Sequence, residues 1–397
     1  RVSGTLRSEV AHPGGPGEAA GILAAAAAGG AAVAFAGGGT KSGWGAPLRP
    51  VELVCSSAAM DGILSHAKED LTVAVGAGIA LDDLQAALAG AGQWLAIDPP
   101  GRPGATLGGI VATGDAGPRR LRYGGIRDLV IGMTLVLADG TVAHSGGKVI
   151  KNVAGYDLCK LACGSLGTLA MVAEVVLRLH PLPRSTATLR LPAALPLAAA
   201  AARLVMDSQV EASALDWTGD ELLVRLEGTG GSLTRRVDAC ARILSAEGHG
   251  GGGPDLLQDD EEAAAWSAAA GRHAAAPQQT LARAATLPDR LEAVAEALRQ
   301  AAVGREVEAQ MSSYLGSGLH DAVLSGPAGE VCQTLQRWRE RVGQLGGTVV
   351  VRDRPPEVTD RVDAWGPPPP AHAVMRRLKA DLDPDGRLCP GRFEPWW

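Results

Sequence analysis

The stretch Ala36–Gly45, reading A-G-G-G-T-K-S-G-W-G, constrains this chain more than any other. It follows a short apolar run, Ala31–Phe35, and sets Gly37, Gly38 and Gly39 ahead of Thr40, Lys41 and Ser42. Glycine accepts positive φ and lets backbone N–H groups approach a ligand with no side chain between. A nest of such N–H groups, flanked by two hydroxyls and an ammonium, suits an anion, most naturally a diphosphate. Taken alone the run reads as a plain turn. Its meaning depends on whether the rest of the chain wants the same ligand.

A second Gly-rich segment, Asp98–Gly114, contains Thr106, Leu107, Gly108, Gly109, Thr113 and Gly114. It is too long for a simple connector, and loops of this size are mostly functional or disordered. Behind it stand Arg119, Arg120 and Arg122, then Tyr123, Gly124 and Gly125. These form either a solvated charged turn or guanidiniums placed for a phosphate or carboxylate. Two such loops in one half-chain favour the functional reading. A decoy lies between them. Gly76-Ala77-Gly78, between a strand pattern and a helix pattern, imitates the start of a dinucleotide fingerprint, with Asp98 downstream. Leu81 holds the place of the third glycine, so a Rossmann site is disfavoured.

At 397 residues the chain has room for two or three cores. A net charge of −6 argues against nucleic acid as the main partner, and 3% aromatic residues leave no base-stacking platform. The six cysteines contain no C-x-x-C pair, which fits buried thiols of a reducing, cytoplasmic compartment and no zinc or iron–sulfur site. Ala19–Ala36 is apolar, but Ala and Gly dominate it and Gly29-Gly30 interrupts it, so a helix over Glu18–Ala28 is expected rather than a membrane span. The sequence opens at Arg1 rather than Met, and an upstream native start is expected.

Apolar periodicity predicts strands at Val51–Cys55, Leu71–Val75 and Ala170–Leu179, and helices at Ala59–Lys68, Leu81–Ala89 and Lys151–Cys163. Ile126–Leu137 reads as strand, turning at Asp139-Gly140. Pro181 and Pro183 mark a boundary. Beyond it, two helix–strand sets separated by the loop Gly248–Gly253 predict an antiparallel sheet covered by helices on one face. Gly366–Pro370 reads as a linker and Ala371–Lys379 as a short basic helix.

The first Gly loop, the P-x-x-x-x-x-T-L-G-G loop, the Arg-Tyr-Gly turn and the run G-S-L-G-T-L at Gly164–Leu169 occur in this order. Together they resemble the vanillyl-alcohol-oxidase, or p-cresol methylhydroxylase (PCMH), type of FAD-binding domain. The run K-N-V-A-G-Y-D-L, Lys151–Leu158, and the tail D-P-D-G-R-L-C-P-G-R, Asp383–Arg392, are similar to the FAD-binding subunits of bacterial glycolate oxidase. The resemblance implies an α+β fold. Its parts would be a two-subdomain FAD-binding domain over residues 1–182, an antiparallel-sheet cap over 183–365, and a C-terminal segment, 366–397, returning to the FAD domain. It implies FAD held by Gly37, Gly38, Gly39, Thr40, Lys41 and Ser42, then by Thr106, Leu107, Gly108, Gly109, Thr113 and Gly114. It adds Arg120, Tyr123 and Gly124 near the cofactor, and Gly167, Thr168 and Val172 beside ribose and adenine. The implied partners are a larger catalytic flavin subunit, an iron–sulfur subunit and a small 2-hydroxy acid substrate such as glycolate, with only indirect membrane contact.

The departures from the family pattern are informative. Gly114 stands where many relatives have Asn, and Cys389 where an Asn is common in the tail. No His occurs in the first loop, so dissociable FAD is expected. Catalytic dehydrogenase subunits carry an H-x-G-D-G-N-x-H-type stretch in the cap, which is not expected here, and His249, His273 and His320 read as surface or satisfied histidines. No catalytic base is named. A self-sufficient hydroxy-acid dehydrogenase and a non-catalytic assembly subunit stay open.

Overall fold

The computed structural model describes residues 8–101, 103–147, 157–246 and 253–397. A small parallel sheet opens the chain: β1 (Glu9–Ala11), β2 (Val33–Ala36) and β3 (Leu53–Ser56), in the order β1-β3-β2. The Ala-rich segment is the helix Pro16–Ala28, which buries Ala19, Leu23 and Ala26 beside Val33 and Cys55. No helix among the described residues is long and apolar enough to cross a membrane.

The second sheet is antiparallel, with β4 (Ile63–Ala67), β5 (Thr72–Gly76), β7 (Val130–Val136), β8 (Val142–Gly146) and β9 (Met171–Arg178) in the order β4-β5-β9-β7-β8. β6 (Gln93–Trp94) pairs separately with β10 (His180–Pro181). Helices Leu81–Ala89 and Leu107–Thr113 bury Leu84, Leu88, Leu107 and Ile110 against Val73, Val75, Val175 and Leu177. Three expectations change here. The helix expected over Ala59–Lys68 is the edge strand β4, because ladder pairing with β5 outweighs a weak helical pattern interrupted by Gly62. The strand expected from Ile126 begins instead with one helical turn, Ile126–Leu129, whose Asp128 carboxylate accepts from the Gly125 N–H at 2.8 Å. Of the helix expected over Lys151–Cys163, residues 151–156 lie outside the described residues, and Cys159–Ala162 is helical.

The cap is an eight-stranded antiparallel sheet. Its strands are β11 (Ser185–Pro192), β12 (Ala214–Trp217), β13 (Glu221–Gly228), β14 (Asp255–Leu257), β15 (Thr280–Ala285), β16 (Glu308–Tyr314), β17 (Leu319–Ser325) and β18 (Thr348–Asp353). They run in the order β14-β11-β13-β12-β16-β17-β15-β18. Alternation along the strands sends Leu189, Leu215, Leu222 and Val224 to one face, under helices Leu195–Asp207 and Gly230–Ala246. Helices Leu291–Ala302 and Ala328–Gln344 cover the rest of that face around Trp338. The other face is polar, carrying Thr188, Arg225, Asp216, Tyr314, Asp321 and Arg283 toward the first two sheets. A further helix that the periodicity did not reveal, Asp259–Arg272, lies on this side. Its Glu262 accepts from the Thr186 and Thr188 hydroxyls at 2.5 and 2.9 Å.

The C-terminal residues come back to β2. The Val33 N–H donates to the Arg387 carbonyl at 2.9 Å, and the Cys389 N–H donates to the Val33 carbonyl at 2.7 Å. The buried Asp383 carboxylate shapes this tail, accepting from the Arg387 and Leu388 N–H groups at 3.0 and 2.8 Å and from the Lys379 ammonium.

Candidate functional site

A cleft runs between the two Gly-rich loops. One wall is Phe35–Ser42 with Trp44. The second is one face of the short helix Leu107–Thr113, with Thr106 just before it, presenting Thr106, Gly109, Ala112 and Thr113 at helical spacing. Leu166, Gly167, Ala170 and Val172 extend it on a third side, and Cys389 and Arg392 from the tail reach its edge. The walls approach closely because glycine permits it. A Cβ on Gly37 would stand 2.2 Å from the Thr106 hydroxyl, and one on Gly38 would stand 1.9 Å from the Gly104 carbonyl. Gly39 meets nothing within 4 Å but has φ +71, the left-handed turn that starts the loop's descent.

The cleft has the chemistry of an anion site. The N–H groups of Gly37 through Lys41 take no hydrogen-bond partner among the described residues. Among the described residues no acidic side chain lines the cleft. An extended dinucleotide with a central diphosphate fits such a trough: the free N–H groups would meet phosphate oxygens, and the apolar stretches at Phe35, Leu166 and Val172 would cover rings. Gly76 and Gly78 are turned elsewhere, their α-carbons pressed against the carbonyls of Met60 and Ser57, so they have no room for a nucleotide.

The remaining sequence candidates divide. Leu107 is wholly buried beneath the second loop, and Gly108 backs onto Ala77. Gly114 ends its helix at φ +63, a conformation that Asn also tolerates, which explains the exchange seen there. Thr168 donates its hydroxyl to the Ser165 carbonyl at 2.8 Å and lends its own carbonyl to Lys379 at 2.7 Å. Arg120, Tyr123 and Gly124 are placed at the cap boundary and do not line the cleft. The Tyr123 ring abuts Trp94 and His180 at centroid distances of 5.5 and 4.9 Å, and its hydroxyl donates to Glu227 of β13.

A chain of buried charges joins the first loop to the cap, and no sequence motif announced it. The Lys41 ammonium lies 2.8 Å from the Asp115 carboxylate and donates to the Pro100 carbonyl at 3.3 Å. Asp115 is fully buried; it accepts from Arg352 of β18 at 3.0 Å and stands 3.9 Å from Arg283 of β15. Arg283 grips Asp321 through two nitrogens, and Asp321 meets His273 at 2.7 Å. The other ring nitrogen of His273 lies 3.0 Å from Asp216. Burial alone would lower the His273 pKa, but the two carboxylates carry it up to about 9, so the ring is charged at neutral pH. Burial would raise Asp321, yet Arg283 and His273 hold it well below the usual carboxylate range. His320 is satisfied differently, between the Ser313 and Thr286 hydroxyls at 2.8 and 3.0 Å, and burial pushes it down to about 4. His249 lies outside the described residues.

The β16–β17 hairpin carries two closely spaced glycines. Its stretch Tyr314–Asp321, Y-L-G-S-G-L-H-D, keeps two glycines at the spacing of the H-x-G-D-G-N-x-H stretch. Gly316 and Gly318 turn the chain at φ +80 and +64. Tyr314 and Asp321 stand where that stretch has its histidines. Nearby, a cavity of about 270 Å³ opens between the two halves, lined by Asp98, Arg119, Asp216, Arg225, Trp266 and Tyr314. Burial raises Asp98 to about 7 against the pull of Arg119, although a quarter of its side chain stays exposed, which relieves part of that push.

Comparison with known proteins agrees with this geometry. Residues 8–146 match the family described as FAD binding domain. Glycolate oxidase subunit GlcE of Escherichia coli (strain K12) is 37% identical over 188 residues, 47% of this chain and 52% of that protein. Glycolate oxidase subunit GlcD of Bacillus subtilis (strain 168) is 41% identical over 130 residues, 33% of this chain and 28% of that protein. D-lactate dehydrogenase of Archaeoglobus fulgidus is 37% identical over 184 residues, 46% of this chain and 41% of that protein. The match thus spans about half the length of the first relative and less of the others. A solved structure of alkyldihydroxyacetonephosphate synthase superposes on 98% of this chain and 78% of its own, with a TM-score of 0.71 at 16% identity, a likeness of fold alone. Residues 8–146 thus match an FAD binding domain, the chain has a PCMH-type FAD-binding fold shared with alkyldihydroxyacetonephosphate synthase, and FAD is the cofactor that these findings support.

Proposed function

We propose that this chain is the FAD-binding subunit of a complex that oxidises glycolate, or a related 2-hydroxy acid, to the 2-oxo acid. FAD is held non-covalently, and the oxidation of substrate depends on a larger flavin subunit and an iron–sulfur subunit that pass electrons on. When bound, the flavin supplies hydride acceptance. The chain's part is to hold it in the cleft and shield it. The observation that carries this reading is the state of the two described cap histidines. His273 is fixed as a cation between two carboxylates, and His320 is enclosed by hydroxyls, so neither is free to take the proton of a substrate hydroxyl. Similarity to the two glycolate oxidase subunits supports the substrate class and the heteromeric setting. Non-covalent attachment is supported by a cleft whose lining, among the described residues, contains no His or Tyr and one thiol, Cys389, which burial keeps protonated.

One observation favours a self-sufficient 2-hydroxy-acid dehydrogenase instead: the 270 Å³ cavity beside Asp98, a carboxylate raised toward neutrality and so suited to proton exchange. A single experiment separates the two. Glycolate is added anaerobically to the FAD-loaded chain and the flavin absorbance is followed. The proposal expects no bleaching until the partner subunits are added. Rapid bleaching of the isolated chain, abolished by Asp98→Asn, would establish the alternative.

A further inference from the structure

Lys41 belongs by position to the first glycine loop, but its charge is spent inside the protein. Only 7% of its side chain is exposed, and the ammonium is shared between the Asp115 carboxylate and the Pro100 carbonyl. Pro100 lies in the second Gly-rich segment, so one side chain ties the two walls of the cleft together. The same loop is gripped from the cap. The Arg352 guanidinium covers the Trp44 ring at 4.1 Å, and Arg354 donates to the Gly45 carbonyl at 2.9 Å. Arg352 also meets Asp115, so Asp115 receives one cation from the loop and others from the cap. The loop's unpartnered N–H groups, at Gly37 through Lys41, remain for the cofactor.

We propose that Lys41 is a positioning residue rather than a phosphate ligand: through Asp115 it couples the cofactor loop to the docked cap, so that FAD is retained only while the cap is seated. Two of the ammonium's three N–H donors are taken up by Asp115 and Pro100, and the Asp115 carboxylate already balances its charge, which leaves it little to offer a phosphate. Backbone N–H groups meet phosphate oxygens without that competition. The inference rests on FAD as cofactor and is independent of which substrate the complex takes.

The test is a double-mutant cycle on the full chain, read as the dissociation constant and release rate of FAD from flavin fluorescence at low and high salt. Lys41→Met is expected to weaken FAD about tenfold and to speed its release, with Lys41→Arg restoring most of the affinity. Lys41→Met combined with Asp115→Asn should be no weaker than Asp115→Asn alone, since one residue acts through the other. Arg352→Met, on the cap side, should also hasten release. The salt dependence of FAD binding should stay unchanged in Lys41→Met, because no contact with a phosphate is lost. The inference is overturned if the two losses multiply, if Lys41→Met flattens the salt dependence, or if it leaves FAD affinity intact. Should Asp115→Asn fail to fold, the cycle of Lys41→Met with Arg352→Met decides in its place, because both singles keep Asp115 paired with a remaining cation. Multiplying losses there would equally overturn the coupling.

Discussion

Gly38→Ala probes the cleft at its narrowest point. The added Cβ would stand 1.9 Å from the Gly104 carbonyl oxygen, where ordinary contact begins near 3.4 Å, so the walls must part by about 1.5 Å (3.4 − 1.9) or distort. Both atoms belong to the loop framework, and no flexible side-chain end can swing away. Overpacking of this kind costs about 1–3 kcal/mol. If the walls part, that cost appears as weaker FAD binding, roughly tenfold for each 1.4 kcal/mol. If they hold, it appears as a melting temperature lower by a few degrees. FAD titration of the apo chain and thermal denaturation, read together, capture either route. Gly39→Ala is the control: no atom lies within 4 Å, and only its φ of +71 is strained, so a loss of about 1 kcal/mol is expected. Gly38→Ala binding FAD within twofold of wild type, at an unchanged melting temperature, would refute the two-walled cleft.

Three further outcomes follow from the cap and the tail. The His273 pKa is raised, so its stabilisation, on the order of 2–3 kcal/mol, is complete below the unfolded value near 6.5 and is lost as pH rises through about 9. Thermal denaturation from pH 6 to 10 should show that loss in wild type, and a parallel loss in His273→Gln would contradict it. Tyr123→Phe removes the hydroxyl that meets Glu227 and should cost about 1–2 kcal/mol of stability while leaving FAD affinity within twofold. A tenfold loss of FAD would put Tyr123 against the cofactor after all. Cys389 has φ +43, where Asn is tolerated better than Cys, so Cys389→Asn should keep FAD and raise the melting temperature slightly. A fall of several degrees would show that burial of the thiol outweighs the strain.

Much of the N-terminal cleft was legible in the sequence because its requirements are local. Gly37 is written where the loop presses on the Thr106 hydroxyl, Gly38 where it presses on the Gly104 carbonyl and Gly39 where φ is positive, and Thr106, Gly109 and Thr113 share a face through helical spacing. What depends on long-range pairing was not legible. Ile63–Ala67 reads as helix until β5 supplies a ladder. The charge chain from Lys41 to Asp216 draws single residues from segments as far apart as positions 41 and 352, each unremarkable in its own window. Arg120 and Tyr123 show the converse: the motif is present, yet the turn that carries it points Tyr123 at Trp94, His180 and Glu227.

The claim that FAD lies between the two Gly-rich loops is tested most directly by amide hydrogen exchange of the chain with and without FAD. The N–H groups of Gly37 through Lys41 have no partner among the described residues, so they should exchange fast in the apo chain. Adding FAD should slow them sharply, together with segments 104–114 and 164–172, while the covered face of the cap sheet stays unchanged. Protection that appears elsewhere and leaves Gly37–Lys41 exchanging at the apo rate would contradict the account.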